Sequence, residues 1–190
     1  MSIKTKSING VRSIKTRIRK MMGKSDIKRW TPISSLNENW DNRTKILASF
    51  ISENSKVIEF GAGRLVLKNF IPESCEYTPS DIVDRGEGTI VLDLNTSPLP
   101  EFENYDYAVF SGVLEYVNDI PLLIRHLSKY MNSIILSYAV TDNHPKSREL
   151  HGWVNSYSES EIVSILNQND YHVTERTTWG KQVIFVVESK

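Results

Sequence analysis

Two periods of apolar residues alternate along this chain. Val57, Ile58 and Phe60 form a short apolar run over 56–60 that stops at Gly61-Ala62-Gly63. A run of that length, closed by turn residues, predicts a buried strand. Similar runs predict strands near 75–79, over 89–92 and over 106–110. A fifth, 133–137, has little alternation, as a strand buried on both faces should have. Between these runs the period changes. Ile46, Leu47, Phe50 and Ile51 give one helical face within 42–54, with further helices expected around 65–70, over 120–130 and over 159–169. Ser158, with Glu161 three positions on, predicts a capping box at the start of the last of these. Two alternating segments, 171–177 and 182–188, joined by Trp179-Gly180-Lys181, predict a closing antiparallel hairpin.

Strands alternating with helices, followed by a hairpin, predict an α/β fold. It is a Rossmann-like, mostly parallel seven-stranded sheet with helices on both faces and a C-terminal antiparallel edge. The connections 82–88 and 95–105 are too short for full crossover helices, so the fold is a trimmed one. No internal repeat is visible.

The first thirty residues differ from the rest. Ile8, Val11, Ile14, Ile18 and Met22 recur at helical spacing, with Arg12, Lys15 and Arg19 off that stripe. Ten lysines and arginines stand there against Asp26 alone, a charge of +9 that leaves −9 on the remainder. The expected organisation is a basic amphipathic arm, 1–30, and a single domain, 31–190. The arm has three possible uses: docking on the body, attachment to an anionic membrane surface, or contact with RNA. The acidic body argues against extensive nucleic-acid contact elsewhere.

Composition narrows the picture. A chain of 190 residues with 39% hydrophobic and 24% charged residues can bury the core of one globular domain. Cys75 is the only cysteine, which excludes an intrachain disulfide and a cysteine-based zinc site. No apolar run reaches the eighteen or so residues of a membrane span, and the basic start lacks a signal-peptide core. A cytoplasmic protein is expected, with the arm as a possible peripheral attachment to the inner membrane surface.

In open α/β sheets, ligands bind beyond the carboxyl ends of the strands, where strand order reverses. Small or acidic residues gather at four such ends. Glu59, Gly61 and Gly63 follow the first strand, Asp81 the second, Asp93 the third, and Ser111-Gly112-Val113-Leu114-Glu115-Tyr116 the fourth. Glycines there let a ligand approach the backbone closely. Plain turn chemistry at Pro79-Ser80-Asp81, and packing at Tyr116, are the structural alternatives. The histidines lack metal-ligand spacing, so no metal is expected.

These segments resemble the ordered motifs of class I S-adenosylmethionine-dependent methyltransferases across the middle half of the chain. The likeness is greatest to small bacterial members with Trp-Asp-x-Arg before the first strand (Trp40 to Arg43), Tyr-x-Pro-x-Asp (Tyr77 to Asp81) and Gly-Val-Leu-Glu-Tyr (Gly112 to Tyr116). Such proteins are often associated with surface-polysaccharide or lipid-linked sugar pathways.

The resemblance implies S-adenosylmethionine as cofactor. Gly61 and Gly63 would lie against its amino-acid portion and Glu59 would take its ammonium. Asp81 would accept from the ribose hydroxyls. Asp93, with the N–H of Leu94, would read the adenine, while Ser111 and Val113 would close the other side. Two departures stand out: Leu65 occupies the place of a frequent third glycine, implying a tighter or differently shaped turn, and Tyr116 that of a frequent histidine. No Asn/Asp-Pro-Pro-aromatic motif is present, which disfavours amino-methylation of adenine, cytosine or glutamine.

The loop 139–156 is where an acceptor would arrive. His144 and His151 lie in it, and with Tyr116 they are the candidate catalytic residues. Surface hydrogen bonding is the alternative for both histidines. Tyr138, Trp153, Asn155 and Tyr157 bracket the loop and suit a sugar or other small polar acceptor. Methyl transfer to a small molecule, glycan or lipid-linked sugar is the leading expectation. An RNA or protein methyltransferase and a non-catalytic partner subunit are the competing ones.

Overall fold

The computed structural model describes residues 3–86, 88–102 and 105–190, with side chains in the first helix from residue 10 onward. Three helices precede the sheet: α1 (Ile3–Met21), the single turn α2 (Ile27–Trp30) and α3 (Asp41–Ala48). The sheet follows, with β1 (Lys56–Phe60), β2 (Glu76–Asp81), β3 (Ile90–Val91), β4 (Tyr107–Phe110), β5 (Ser133–Tyr138), β6 (Tyr171–Trp179) and β7 (Gln182–Ser189). Helix α4 (Ile120–Leu127) lies between β4 and β5, and α5 (Glu159–Gln168) between β5 and β6.

The seven strands run in the order β3-β2-β1-β4-β5-β7-β6. All pairs from β3 to β5 are parallel, and β7 is antiparallel to both neighbours. The order therefore reverses between β1 and β4. Side-chain alternation divides the core. Ile58, Phe60, Phe110, Ile134 and Leu136 point to one face, where Leu123, Ile124 and Leu127 of α4 and Ile162 and Leu166 of α5 cover them. Val57, Val109, Ile135 and Ile184 point to the other, under Leu47 and Ala48 of α3 and Leu67. Both faces of the central strands are apolar, which is why those segments read as continuous runs.

Several expected elements are shorter than their patterns. The helix expected over 42–54 ends at Ala48, and left-handed Asn54 (φ 59°) lies in the turn that leads into β1. Phe50 and Ile51 pack from the turn instead. Only a 3₁₀ turn, Leu67–Asn69, forms where a helix was expected at 65–70. Leu65 itself is left-handed (φ 59°) and interrupts any helix there. Ser158 accepts from the N–H of Glu161, and the capping box of α5 is complete.

The loop 139–156 is not free. Buried Arg148 donates from Nε to the carbonyl of Asn155 (3.0 Å) and from Nη2 to Tyr138 Oη (3.1 Å). Trp153 stacks over its guanidinium at 4.7 Å. These contacts fix the 3₁₀ turn Arg148–His151 on the body.

Helix α1 docks on that turn. Thr16 Oγ1 donates to the carbonyl of Glu149 (3.0 Å) and Arg17 Nε to the Glu149 carboxylate (3.0 Å). Thr16 is 2% exposed, while the apolar stripe of Val11, Ile14, Ile18 and Met22 faces solvent. A docked amphipathic helix ordinarily buries its apolar face. Here the polar one is buried. The side chain of Ile8, also counted in the stripe, lies outside the described set.

Candidate active site

A cleft of about 410 Å³ opens over the carboxyl ends of β1, β2 and β4. Its floor is the turn after β1. Gly61 and Gly63 both have positive φ (70° and 56°), and a Cβ on Gly61 would stand 2.5 Å from Val113 Cγ2. The strand-end glycine therefore lets the turn after β1 approach the loop after β4 more closely than any side chain permits. Leu65, in the place of the third glycine, keeps a left-handed backbone. That φ of 59° costs a non-glycine residue on the order of 1–2 kcal/mol.

Acidic groups ring this end of the cleft. Glu59 is 2% exposed and accepts from Tyr77 Oη at 2.6 Å. Burial pushes its carboxyl up to about 8, and nearby Asp81 adds to the rise. Asp81 Oδ2 accepts from the N–H of Gly63 (2.8 Å), while Oδ1 accepts from Val83 N–H (3.1 Å) and from Arg85 Nη2 (3.3 Å). Arg85 also donates to the carbonyl of Trp30 (2.7 Å). Asp93 Oδ1 accepts from Ser25 Oγ (2.6 Å) and the N–H of Asn95 (2.9 Å), and Leu94 lines the wall beside it.

The segment after α1 carries no site motif in its sequence, yet it lines the cleft. Ser25 reaches Asp93, Asp26 pairs with Arg19 (2.6 Å), and Arg29 and Trp30 pack on Tyr116. Trp30 meets Tyr116 edge-on at 4.9 Å and Trp40 at 6.4 Å. Nothing in the local sequence marks these contacts, since Ser25 and Asp93 are 68 residues apart.

Arg43, the last residue of the Trp-Asp-x-Arg motif, holds the loop after β4. Its Nε donates to Ser111 Oγ (3.0 Å), Nη2 to the Ser111 carbonyl (2.9 Å) and Nη1 to Gln182 Oε1 (2.9 Å). Gln182 Nε2 and the N–H of Ala139 both donate to Glu115 Oε1 (2.8 Å each). Glu115 Oε2 is buried without a partner among the described residues. Burial lowers the Arg43 pKa, and Glu115 is the foremost group opposing that shift.

At the far end stand the three catalytic candidates. The rings of His144 and His151 are 6.2 Å apart, and both pack on Trp153. Burial lowers both imidazole pKa values, aided at His144 first by Lys181 and at His151 first by Arg29. Tyr116 Oη accepts from Trp153 Nε1 (3.2 Å), and burial pushes this phenol up to about 12. All three line the same cleft as Glu59, Asp81 and Asp93. Asn155 and Tyr138, expected at the acceptor loop, are bonded to each other (2.6 Å) as part of the Arg148 anchor.

Strand order, reversal point and cleft together define the fold of class I S-adenosylmethionine-dependent methyltransferases. Residues 34–176 match the methyltransferase-domain family, and the chain belongs to that family. No curated protein sequence matches it.

Solved structures agree on the fold. The mitomycin 7-O-methyltransferase MmcR is 14% identical, with a TM-score of 0.59 over 80% of this chain and 54% of that one. The O-methyltransferase NcsB1 of neocarzinostatin biosynthesis, solved with S-adenosylmethionine and 2-hydroxy-5-methyl naphthoic acid, is 14% identical. It aligns with a TM-score of 0.60 over 83% of this chain and 57% of that one. The N-methyltransferase NodS of Bradyrhizobium japonicum WM9, solved with S-adenosyl-L-homocysteine, is also 14% identical. Its TM-score is 0.60 over 80% of this chain and 86% of that one. The chain thus spans little more than half the length of MmcR and NcsB1.

Proposed function

We propose that this protein transfers the methyl group of S-adenosylmethionine to an oxygen or nitrogen of a small polar acceptor, with a sugar or lipid-linked sugar as the favoured class. One observation carries the reading: a single cleft is lined both by Glu59, Asp81 and Asp93 and by Trp30, Tyr116, His144, His151, Arg29 and Lys181. Glu59 and Asp81 flank the Gly61–Gly63 turn and Asp93 lines the same cleft, where a sulfonium nucleoside with an ammonium group would be held. The cradle fits such a group in its donor set, because the Glu59, Asp81 and Asp93 carboxylates and the glycine-turn backbone all line the cleft. Glu59 would take the ammonium, Asp81 the ribose hydroxyls and Asp93 with Leu94 the adenine, with Ser111 and Val113 on the opposite wall.

When bound, S-adenosylmethionine supplies a methyl group already activated by its sulfonium. What remains for the chain is alignment, exclusion of water and, for a hydroxyl acceptor, removal of a proton. Tyr116 and Trp30 would wall the transfer position. His144 and His151, with lowered pKa values, are neutral at pH 7, and an imidazole nitrogen of either could accept the hydroxyl proton. Arg29 and Lys181 have no carboxylate partner among the described residues and favour an acceptor that carries negative charge.

The test has two stages. Calorimetric titration with S-adenosylhomocysteine should give micromolar binding that Asp81→Ala and Gly61→Val abolish. A panel of sugar phosphates, uronic acids and neutral sugars, assayed by methyl transfer from labelled cofactor, should then show turnover favouring the anionic members. Absence of cofactor binding by the folded wild type would refute the reading.

A further inference from the structure

The outward stripe of α1 has no counterpart in the cofactor or acceptor chemistry. Val11 is 48% exposed, Ile14 58%, Ile18 50%, Met21 87% and Met22 56%. At 1.5 Å per residue these positions form an apolar band roughly 16 Å long. Thr16, which is bonded to the Glu149 carbonyl, lies on the opposite side of the helix, because successive residues turn by about 100°. Docking on the body and exposure of the band are therefore compatible. The same face cannot serve both.

Charge selects the occupant of the band. Residues 1–30 carry ten basic side chains and one acid, and that acid, Asp26, is already paired with Arg19 at 2.6 Å. Lys15 borders the band on one side, while Arg17 on the other, 69% exposed at its side chain, is paired with Glu149 of the body. A second copy of the helix would bring like charges together. An anionic lipid surface receives both features at once, the band among the acyl chains and the cations among the headgroups. No helix among the described residues is long and apolar enough to cross a membrane.

We propose that α1 is a docking helix that lies in the interface of an anionic bilayer by its Val11–Met22 face, while its Thr16 face holds the protein to it. The band would enter the headgroup region by about 5–10 Å, with the helix axis parallel to the surface. The inference stands apart from the identity of the acceptor.

Vesicle co-sedimentation of the full chain tests it. Vesicles with about 30 mol% phosphatidylglycerol should capture the wild type at about 0.1 M salt, and phosphatidylcholine vesicles should not. Raising the salt to about 0.5 M should lower partitioning at least tenfold, since each cation acts only within a Debye length. The variant Ile14→Glu/Ile18→Glu should lose at least about tenfold in partitioning, because both side chains would enter the lipid. Both positions are exposed, so its melting temperature and S-adenosylhomocysteine affinity should match the wild type. A wild type that remains free of anionic vesicles would overturn the proposal, as would a variant that binds them equally. A wild-type dimer in light scattering that the variant dissolves would assign the band to a second copy. Capture of single-stranded RNA without vesicle binding would assign the arm to phosphate contact.

Discussion

Glu59 offers a sharp test of the cofactor site, because its proton must leave when a cation arrives. In the unliganded protein burial holds this carboxyl at about 8, against an ordinary 4.5. At pH 7 such a group carries roughly 0.9 of a proton. An ammonium seated beside it favours the charged form, so binding of S-adenosylhomocysteine should release up to about one proton per site at pH 7, falling toward zero above about pH 9. The stability consequence has a definite sign. The folded pKa is raised, so the native state binds more protons than the unfolded state between 4.5 and about 8. The contribution of Glu59 to the stability of the unliganded protein is therefore greatest below that window and declines through it, by on the order of 1 kcal/mol per pH unit. Calorimetric titrations in phosphate and in Tris, which differ in ionisation enthalpy, read the released proton as a difference in heat. Glu59→Gln should remove that difference and flatten the decline in stability. Equal heats in the two buffers for the wild type, or an unchanged difference in Glu59→Gln, would refute the role given to Glu59.

Other expectations follow from single contacts. Gly61→Ala should weaken S-adenosylhomocysteine binding by about 30-fold or more, since left-handed strain and the 2.5 Å approach to Val113 add to roughly 2 kcal/mol or above. Adding Val113→Ala should recover part of that affinity in the same titration. Ser158→Ala removes the cap of α5 and should lower the melting temperature by a few degrees, from a loss of about 1 kcal/mol. Leu65→Gly should stay within about 1 kcal/mol of wild type in denaturant unfolding, because relief of left-handed strain offsets the lost side chain. For a hydroxyl acceptor, turnover should fall as pH drops through the lowered histidine pKa, and the double variant His144→Asn/His151→Asn should lose that acid limb.

The parts of the molecule legible in its sequence are those governed by local pattern. Strand β1 was expected at Lys56–Phe60 and lies there, because an apolar run against a glycine turn admits little else. The hairpin and the capped α5 follow equally local rules. The cleft residues expected at the strand ends do line one cavity, since parallel strands bring their carboxyl ends together. What stayed hidden depends on distant partners. Ser25 on Asp93, Trp30 on Tyr116 and Gln182 on Arg43 join segments whose sequences carry no mark of each other. Helix α1 shows a subtler gap. Periodicity gives the stripe but does not say which face the body takes, and a threonine hydroxyl with one arginine decided it.

The Arg43–Gln182–Glu115 chain bears on the order in which the molecule is made. Arg43 meets its glutamine across 139 residues, and Glu115 meets the same side chain across 67. Both charged groups belong to segments that leave the ribosome well before residue 182. A nascent chain that has completed β1 and β4 thus already holds the glycine turn, but its guanidinium and carboxylate still lack the amide that bridges them. Only synthesis of the β6–β7 hairpin supplies it. Cofactor competence should therefore wait for residue 182, and a stalled chain ending before it is the species on which chaperones would find this cleft unfinished.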